Sequence, residues 1–202
     1  MPKLTFWYEF ASTYSYLSAM RVEDMCRQAE VELVWRPFLL GPIFGAQGWK
    51  TSPFNLYPAK GANMWRDMER QITHRALPPL TRPDPFPQNT LLAARIATIG
   101  VNEGWVAGFS RAVFQAQFAH GLQISDPEVL SECLAEHAAD PQAIIEHAST
   151  DQAIKDQLKH QTAAAMDLGV YGAPSFSTSS GELFWGDDRL AQAIRWAQKE
   201  PH

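Results

Sequence analysis

The stretch Tyr8-Glu9-Phe10-Ala11-Ser12-Thr13-Tyr14-Ser15-Tyr16-Leu17 decides the fold. Upstream of it, Leu4 to Phe10 is rich in aromatic and β-forming residues, which predicts a strand. Downstream, Tyr14, Leu17, Met20, Val22, Met25 and Cys26 recur at helical spacing, which predicts a helix over 14–29. Ala11-Ser12-Thr13 lies between the two, and a hydroxyl there can cap the helix by accepting a free backbone N–H. Val31 to Trp35 then reads as a second strand. A β-α-β unit of this kind is right-handed with parallel strands, and its ligand crevice opens beyond their carboxyl ends, where Ser12 falls.

After Arg36-Pro37-Phe38-Leu39-Leu40-Gly41-Pro42, a segment punctuated by Gly and Pro runs as a loop to Pro58, and helical periodicity resumes over 59–75. A Pro-rich connector over 77–87 leads to an Ala-rich stretch, 89–147, with breaks expected at Gly100, Gly104, 121–127 and Asp140-Pro141. Asp126-Pro127 and Asp140-Pro141 each place a cap residue before a proline at the first helical position. A further helix over 151–168 stops at Gly169. Strand chemistry returns at Ser175 to Ser177 and at Leu183-Phe184-Trp185, around a Ser-Ser-Gly turn, giving a hairpin. In the final helix Asp187 or Asp188 is the expected cap, and Leu190, Ile194 and Ala197 form the apolar stripe. Two α/β ends around a helical middle predict one α/β domain with an all-helical insertion. Its parts are a β-α-β part at 1–45, a loop and helical insertion at 46–168, and a β-β-α part at 169–202.

Composition narrows the class of function. Of the 202 residues, 46% are hydrophobic and 19% charged, a balance suited to a folded core. A net charge of -5 argues against a nucleic-acid or anionic-membrane surface and leaves a small molecule as the expected partner. Neither a signal peptide nor a membrane span is legible at the N-terminus, so a cytoplasmic protein is expected. The two cysteines, Cys26 and Cys133, are too far apart for a C-x-x-C redox pair. His120, His137, His147 and His160 lack metal-ligand spacing, and no metal site is expected.

The Ser12 junction is the leading candidate for chemistry. Free N–H groups and the peptide dipoles at a helix start favour an anion, so a thiolate docked there has a lowered pKa, and the Ser12 hydroxyl adds a donor. Spacing alone is fully accounted for if Ser12 is only a cap, and by itself it favours that reading. Within Gly172-Ala173-Pro174-Ser175, a proline entering a strand suggests a cis peptide that turns the Ala173 backbone toward an extended ligand. Asp187 and Asp188 offer carboxylates to an ammonium group. Lys60, at the start of a helix, can meet a carboxylate, and Trp65 can face an aromatic ring. Cys26 falls in the first helix's apolar pattern, as a small buried hydrophobe does.

Five spaced motifs, in the same order, resemble the 2-hydroxychromene-2-carboxylate isomerase family. They are FxSxYSYL from Phe10, RPFLLGxxF from Arg36, PAKG from Pro58, GAPS from Gly172 and FWGxDRL from Phe184. That family is related to kappa-class glutathione transferases and to DsbA-type oxidoreductases. The resemblance implies a thioredoxin-like fold interrupted by a helical insertion, a homodimer, glutathione as cofactor and an aromatic substrate. It makes Ser12 the residue that hydrogen-bonds the glutathione sulfur, with Ala173 and cis-Pro174 beside the cysteinyl backbone. Asp187 and Asp188 would receive the γ-glutamyl end, Lys60 the glycyl carboxylate, and Asn55 would face the substrate. Thr13 stands where the family has proline, and Glu9 where it has aspartate. Reversible thiolate addition leading to cis-trans isomerisation is the activity implied. Glutathione conjugation to electrophiles and a non-catalytic binding module remain the alternatives.

Overall fold

The computed structural model of the chain describes residues 1–200. Strand β1 (Lys3–Tyr8) is followed by helices α1 (Thr13–Ala19) and α2 (Val22–Gln28) and by strand β2 (Glu32–Pro37). Helices α3 (Leu40–Ala46), α4 (Pro53–Leu56), α5 (Pro58–His74), α6 (Leu91–Glu103), α7 (Val106–Phe118), α8 (Pro127–Leu134), α9 (Pro141–Thr150) and α10 (Gln152–Asp167) come next. Strands β3 (Ser175–Thr178) and β4 (Leu183–Trp185), a 3-10 turn at Asp187–Arg189 and helix α11 (Leu190–Ala197) complete the chain. The sheet order is β2-β1-β3-β4. β1 and β2 are parallel, while β3 runs antiparallel to both β1 and β4. This is the expected α/β architecture, with a mixed sheet and the helical block between β2 and β3.

Alternation along β1 explains why it is central. Leu4, Phe6 and Tyr8 point into the large core, where Phe6 stacks on Phe176 with ring centres 5.4 Å apart and lies edge-on to Trp35. Trp7 points the other way, into a smaller cluster with Phe38, Ile43, Ala165 and Val170. Both faces of the strand are therefore covered, and burial of each such side chain contributes on the order of 1.5–3 kcal/mol. The Tyr8 hydroxyl, carried into the core, pairs with Ser110 Oγ at 2.7 Å, which avoids the cost of an unmatched polar group.

The capping signals at Asp126 and Asp140 act as expected, and Asp151 caps α10 in the same way. Asp126, Asp140 and Asp151 accept from the N–H groups of Glu128, Ala143 and Ile154. Gly169, at φ 85°, follows α10 in a left-handed conformation that side chains disfavour.

Several expectations are corrected. The helix expected over 14–29 is two helices, broken at Met20-Arg21, and the break directs the Arg21 side chain to Asp187. The segment read as a loop to Pro58 contains α3 and α4, the latter capped by Ser52 with Pro53 at its first position. Gly100 does not break α6. It lies inside the helix, where a Cβ would meet the Trp105 ring at 2.6 Å, so glycine there makes room for Trp105. Neither Asp187 nor Asp188 caps α11, which has no side-chain cap.

Candidate active site

At the carboxyl end of β1 the chain turns through Phe10 and Ala11, and Ser12 holds extended backbone angles, φ -80° and ψ 114°, that start α1. Its Oγ accepts the N–H of Ser15 at 3.1 Å and donates to the carbonyl of Ala173 at 2.9 Å. The hydroxyl therefore joins the helix start to the loop before β3. The Ala173-Pro174 peptide is cis. Beside Ser12, the buried hydroxyls of Thr13 and Ser15 have no hydrogen-bond partner among the described residues.

This junction opens on a cavity of about 1390 Å³. Seven of the candidate site residues reach its wall: Ser12, Asn55, Lys60, Ala173, Pro174, Asp187 and Asp188. No cysteine is among its lining residues. Phe44, Trp49, Phe54 and Phe86 supply aromatic surface, and the half-exposed pair Tyr171 and Trp185, 5.0 Å apart, stands near Pro174. A large, mostly apolar hollow with a few convergent polar groups is the form of a small-molecule site.

The two aspartates divide their labour. Asp187 is 5% exposed and both its oxygens are engaged. Oδ1 accepts from Ser18 Oγ at 2.8 Å and from Arg21 at 3.0 Å, and Oδ2 accepts from Arg75 at 2.5 Å. It ties the turn after β4 to α1, to the α1–α2 break and to the end of α5. Asp188 is the carboxylate left open to the cavity, its side chain 75% exposed and 3.9 Å from Arg189. Gly186, at φ 110°, sets the turn, and a Cβ there would meet Asp188 Oδ1 at 2.6 Å.

Lys60, in the first turn of α5, lies over the Tyr57 ring at 4.9 Å. Asn55 donates to the Phe86 carbonyl at 2.9 Å and thereby holds α4 against the connector before α6. Trp65 does not line the cavity: it packs edge-on against Phe86 at 4.8 Å and under Arg82, so Phe86 presents the aromatic face instead. Cys26 is buried, and burial pushes its thiol up to about 12, which keeps it inert as a nucleophile. Among the described residues no cluster of His, Cys, Asp or Glu is arranged to hold a metal ion, and no helix is long and apolar enough to cross a membrane.

Two groups escaped the sequence reading. Arg75 follows α5 and lines the cavity, and its buried Nη1 lacks a partner. Glu9, seen only as a departure from a pattern, is 6% exposed on the cavity wall, and burial pushes its carboxyl up to about 7 against the opposing hydrogen bonds from Thr90 and Ala11. For Glu9 the available signal was an acidic residue just after the strand that leads into Ser12; Arg75 carries no such local signal.

The family model for the DSBA-like thioredoxin domain matches residues 3–194. The chain belongs to that family. As a DSBA-like thioredoxin domain it is 26% identical over 188 residues to the 2-hydroxychromene-2-carboxylate isomerase of Sphingobium xenophagum, with 93% of each chain covered. It is 27% identical over 201 residues to glutathione S-transferase kappa 1 of Homo sapiens, covering 91% of this chain and 85% of the relative. A solved structure of a 2-hydroxychromene-2-carboxylate isomerase superposes with a TM-score of 0.82 at 23% identity, covering 96% of this chain and 93% of that one. The thioredoxin-like fold expected from the sequence is thus the fold found, and this DSBA-like domain carries serine at the junction where a redox thiol is absent.

Proposed function

We propose that the protein is a glutathione-dependent cis-trans isomerase acting on an unsaturated aromatic acid of the 2-hydroxychromene-2-carboxylate kind. The observation that carries the reading is the Ser12 hydroxyl, held by Ser15 N–H and the Ala173 carbonyl at one wall of an aromatic-lined cavity without cysteine. The names of the relatives support it, since they join this isomerase and a glutathione transferase on related chains.

The residues present fit the tripeptide. Asp188 has free oxygens for the γ-glutamyl ammonium, and Arg75 on the cavity wall is a cation for the carboxylate beside it. Ala173 offers backbone to the cysteinyl unit, and Lys60 a cation for the glycyl end. Asn55 and Phe86 border the same cavity and would meet the second substrate. When bound, glutathione supplies a thiolate that adds reversibly to the substrate double bond, allows rotation and is eliminated unchanged. Ser12 turns its proton from the Ala173 carbonyl to the sulfur and, with the start of α1, holds the charge there. The aromatic walls exclude water and orient the planar substrate. The reading places the protein in the cytoplasm, where the tripeptide is abundant and reduced, and as a homodimer.

Ser12→Ala removes that donor. Turnover should fall at least tenfold, and the thiol pKa of bound glutathione, read from thiolate absorbance against pH, should rise. If both stay at wild-type values, Ser12 is only a cap. Stoichiometric consumption of glutathione with substrate would instead identify a conjugating transferase.

A further inference from the structure

The least explained group on the cavity wall is a buried carboxyl with no cation. Glu9 follows directly on β1, three residues before Ser12, and its backbone carbonyl accepts the Ser12 N–H at 3.0 Å. One carboxyl oxygen accepts the Ala11 N–H at 2.8 Å, and the other pairs with the Thr90 hydroxyl at the start of α6. Glu9 and Thr90 both line the cavity. Buried carboxylates in proteins are paired with cations or carry a proton. Asp187, in the same cavity, has two arginines; among the described residues Glu9 has only a hydroxyl and an amide.

We infer that Glu9 is the proton-holding group of this site, taking the thiol proton of bound glutathione through the Thr90 hydroxyl and returning it when the thiol re-forms. The inference rests on the glutathione reading above. The transfer balances without a further reactant. The S–H bond breaks, its proton passes to Thr90 Oγ1, the Thr90 proton passes to Glu9 Oε1, and the charge moves from carboxylate to sulfur. Ser12 then stabilises the thiolate that Glu9 has made, so the two residues act in succession on one atom.

The surroundings suit exchange near neutrality. Burial is the main cause that holds the carboxyl near 7, and the bonds from Thr90 and Ala11 oppose it. No charged neighbour contributes, although Tyr14 on α1, Lys50, Lys60, Asp67 and Arg75 from the segment through α5, and Asp187 and Asp188 after β4 share the cavity. From α6 the approaching group is the uncharged Thr90, and from α7 Gln117 donates to the neighbouring Phe10 carbonyl at 2.6 Å. A carboxyl poised near the working pH can both accept and give a proton.

The test counts protons. Glutathione is titrated into the protein just above neutral pH, in two buffers of different ionisation enthalpy, while thiolate absorbance is followed in parallel. The wild type should form thiolate without releasing a matching proton to the buffer. In Glu9→Gln, which keeps the shape and an acceptor, each thiolate formed should release its proton to the buffer, and the alkaline-going limb of the activity profile near neutrality should be lost. Full proton release by the wild type overturns the role of Glu9 while leaving glutathione binding intact. Retention of the proton by Glu9→Gln as well overturns it too, since another acceptor is then at work. No binding heat and no thiolate in the wild type overturns both this inference and the reading it rests on. The wild-type arm decides the matter even if the variant folds poorly.

Discussion

Removal of the Asp187 carboxylate is the perturbation whose cost the structure fixes best. In Asp187→Ala, Ser18 loses its acceptor, and Arg21 and Arg75 lose their shared counter-charge. Breaking a fully buried ion pair by deleting one partner costs about 3–5 kcal/mol, because the remaining charge stays desolvated. Here the arginine side chains are 28% and 20% exposed, so water recovers part of the loss, and Arg21 keeps its bond to the Asp187 carbonyl at 2.7 Å. The low end, about 3 kcal/mol, is the expected destabilisation. For a chain of this length that lowers Tm by roughly 6–12 °C. Urea unfolding should show a lower midpoint with an unchanged slope, as a loss of stability without a change in exposed surface requires. Asp188→Ala should leave the midpoint alone and weaken glutathione binding instead, because its carboxylate makes only a distant contact with Arg189. A midpoint for Asp187→Ala equivalent to less than about 1 kcal/mol, or equal losses in the two variants, would refute the division of roles between the two aspartates.

Stability should also depend on pH through Glu9. The folded carboxyl sits near 7 against 4.5 for a free side chain, so the folded state binds the extra proton, and stability is greatest at acid pH and falls as pH rises from about 4.5 to about 7. The expected loss is roughly 3 kcal/mol, and Glu9→Gln should flatten that part of the curve; a wild-type curve already flat there would contradict the burial argument. Gly61→Ala places a Cβ at 2.4 Å from the Phe54 carbonyl, so α4 must part from α5, at a cost of about 1–3 kcal/mol by thermal melting and with weaker ligand binding; an unchanged melt would show that α4 yields freely.

What could be read from the sequence was what is encoded locally. The strand into Ser12, the caps at Asp126 and Asp140, the stop at Gly169 and the hairpin at 175–185 each depend on residues a few positions apart. The break at Met20-Arg21 does not, because the group that holds Arg21 lies 166 residues away at Asp187. For the same reason the sequence does not separate the two aspartates: a cap and a buried counter-ion look alike until the arginines that meet one of them are known. Trp65 is close to Lys60 in sequence and so a candidate to face an aromatic ring in the site, but a residue five positions along a helix faces another way, here onto Phe86. One miss was avoidable. Ser52-Pro53 is the same cap-and-proline device that marked α8 and α9, and it starts α4.

The Ser12 hydroxyl has one proton, and in this structure it is given to the Ala173 carbonyl. A thiolate facing Ser12 competes for that proton, and a ligand that offered only sulfur would strand the carbonyl without a donor. An extended peptide does better, since its own backbone N–H can replace the hydroxyl at Ala173 while its thiolate receives the hydroxyl at Ser12. The exchange turns one internal bond into two bonds with the ligand, with Ser15 N–H still capped by the same oxygen. A simple thiol lacks the second half of that exchange and should bind far more weakly than glutathione. Selectivity for a cysteinyl peptide would then come from the pairing of Ser12 with Ala173, before Asp188, Arg75 or Lys60 reads either end of it. Titration with a small monothiol beside glutathione separates these cases: comparable affinities would mean that the backbone exchange contributes nothing and that sulfur alone is recognised.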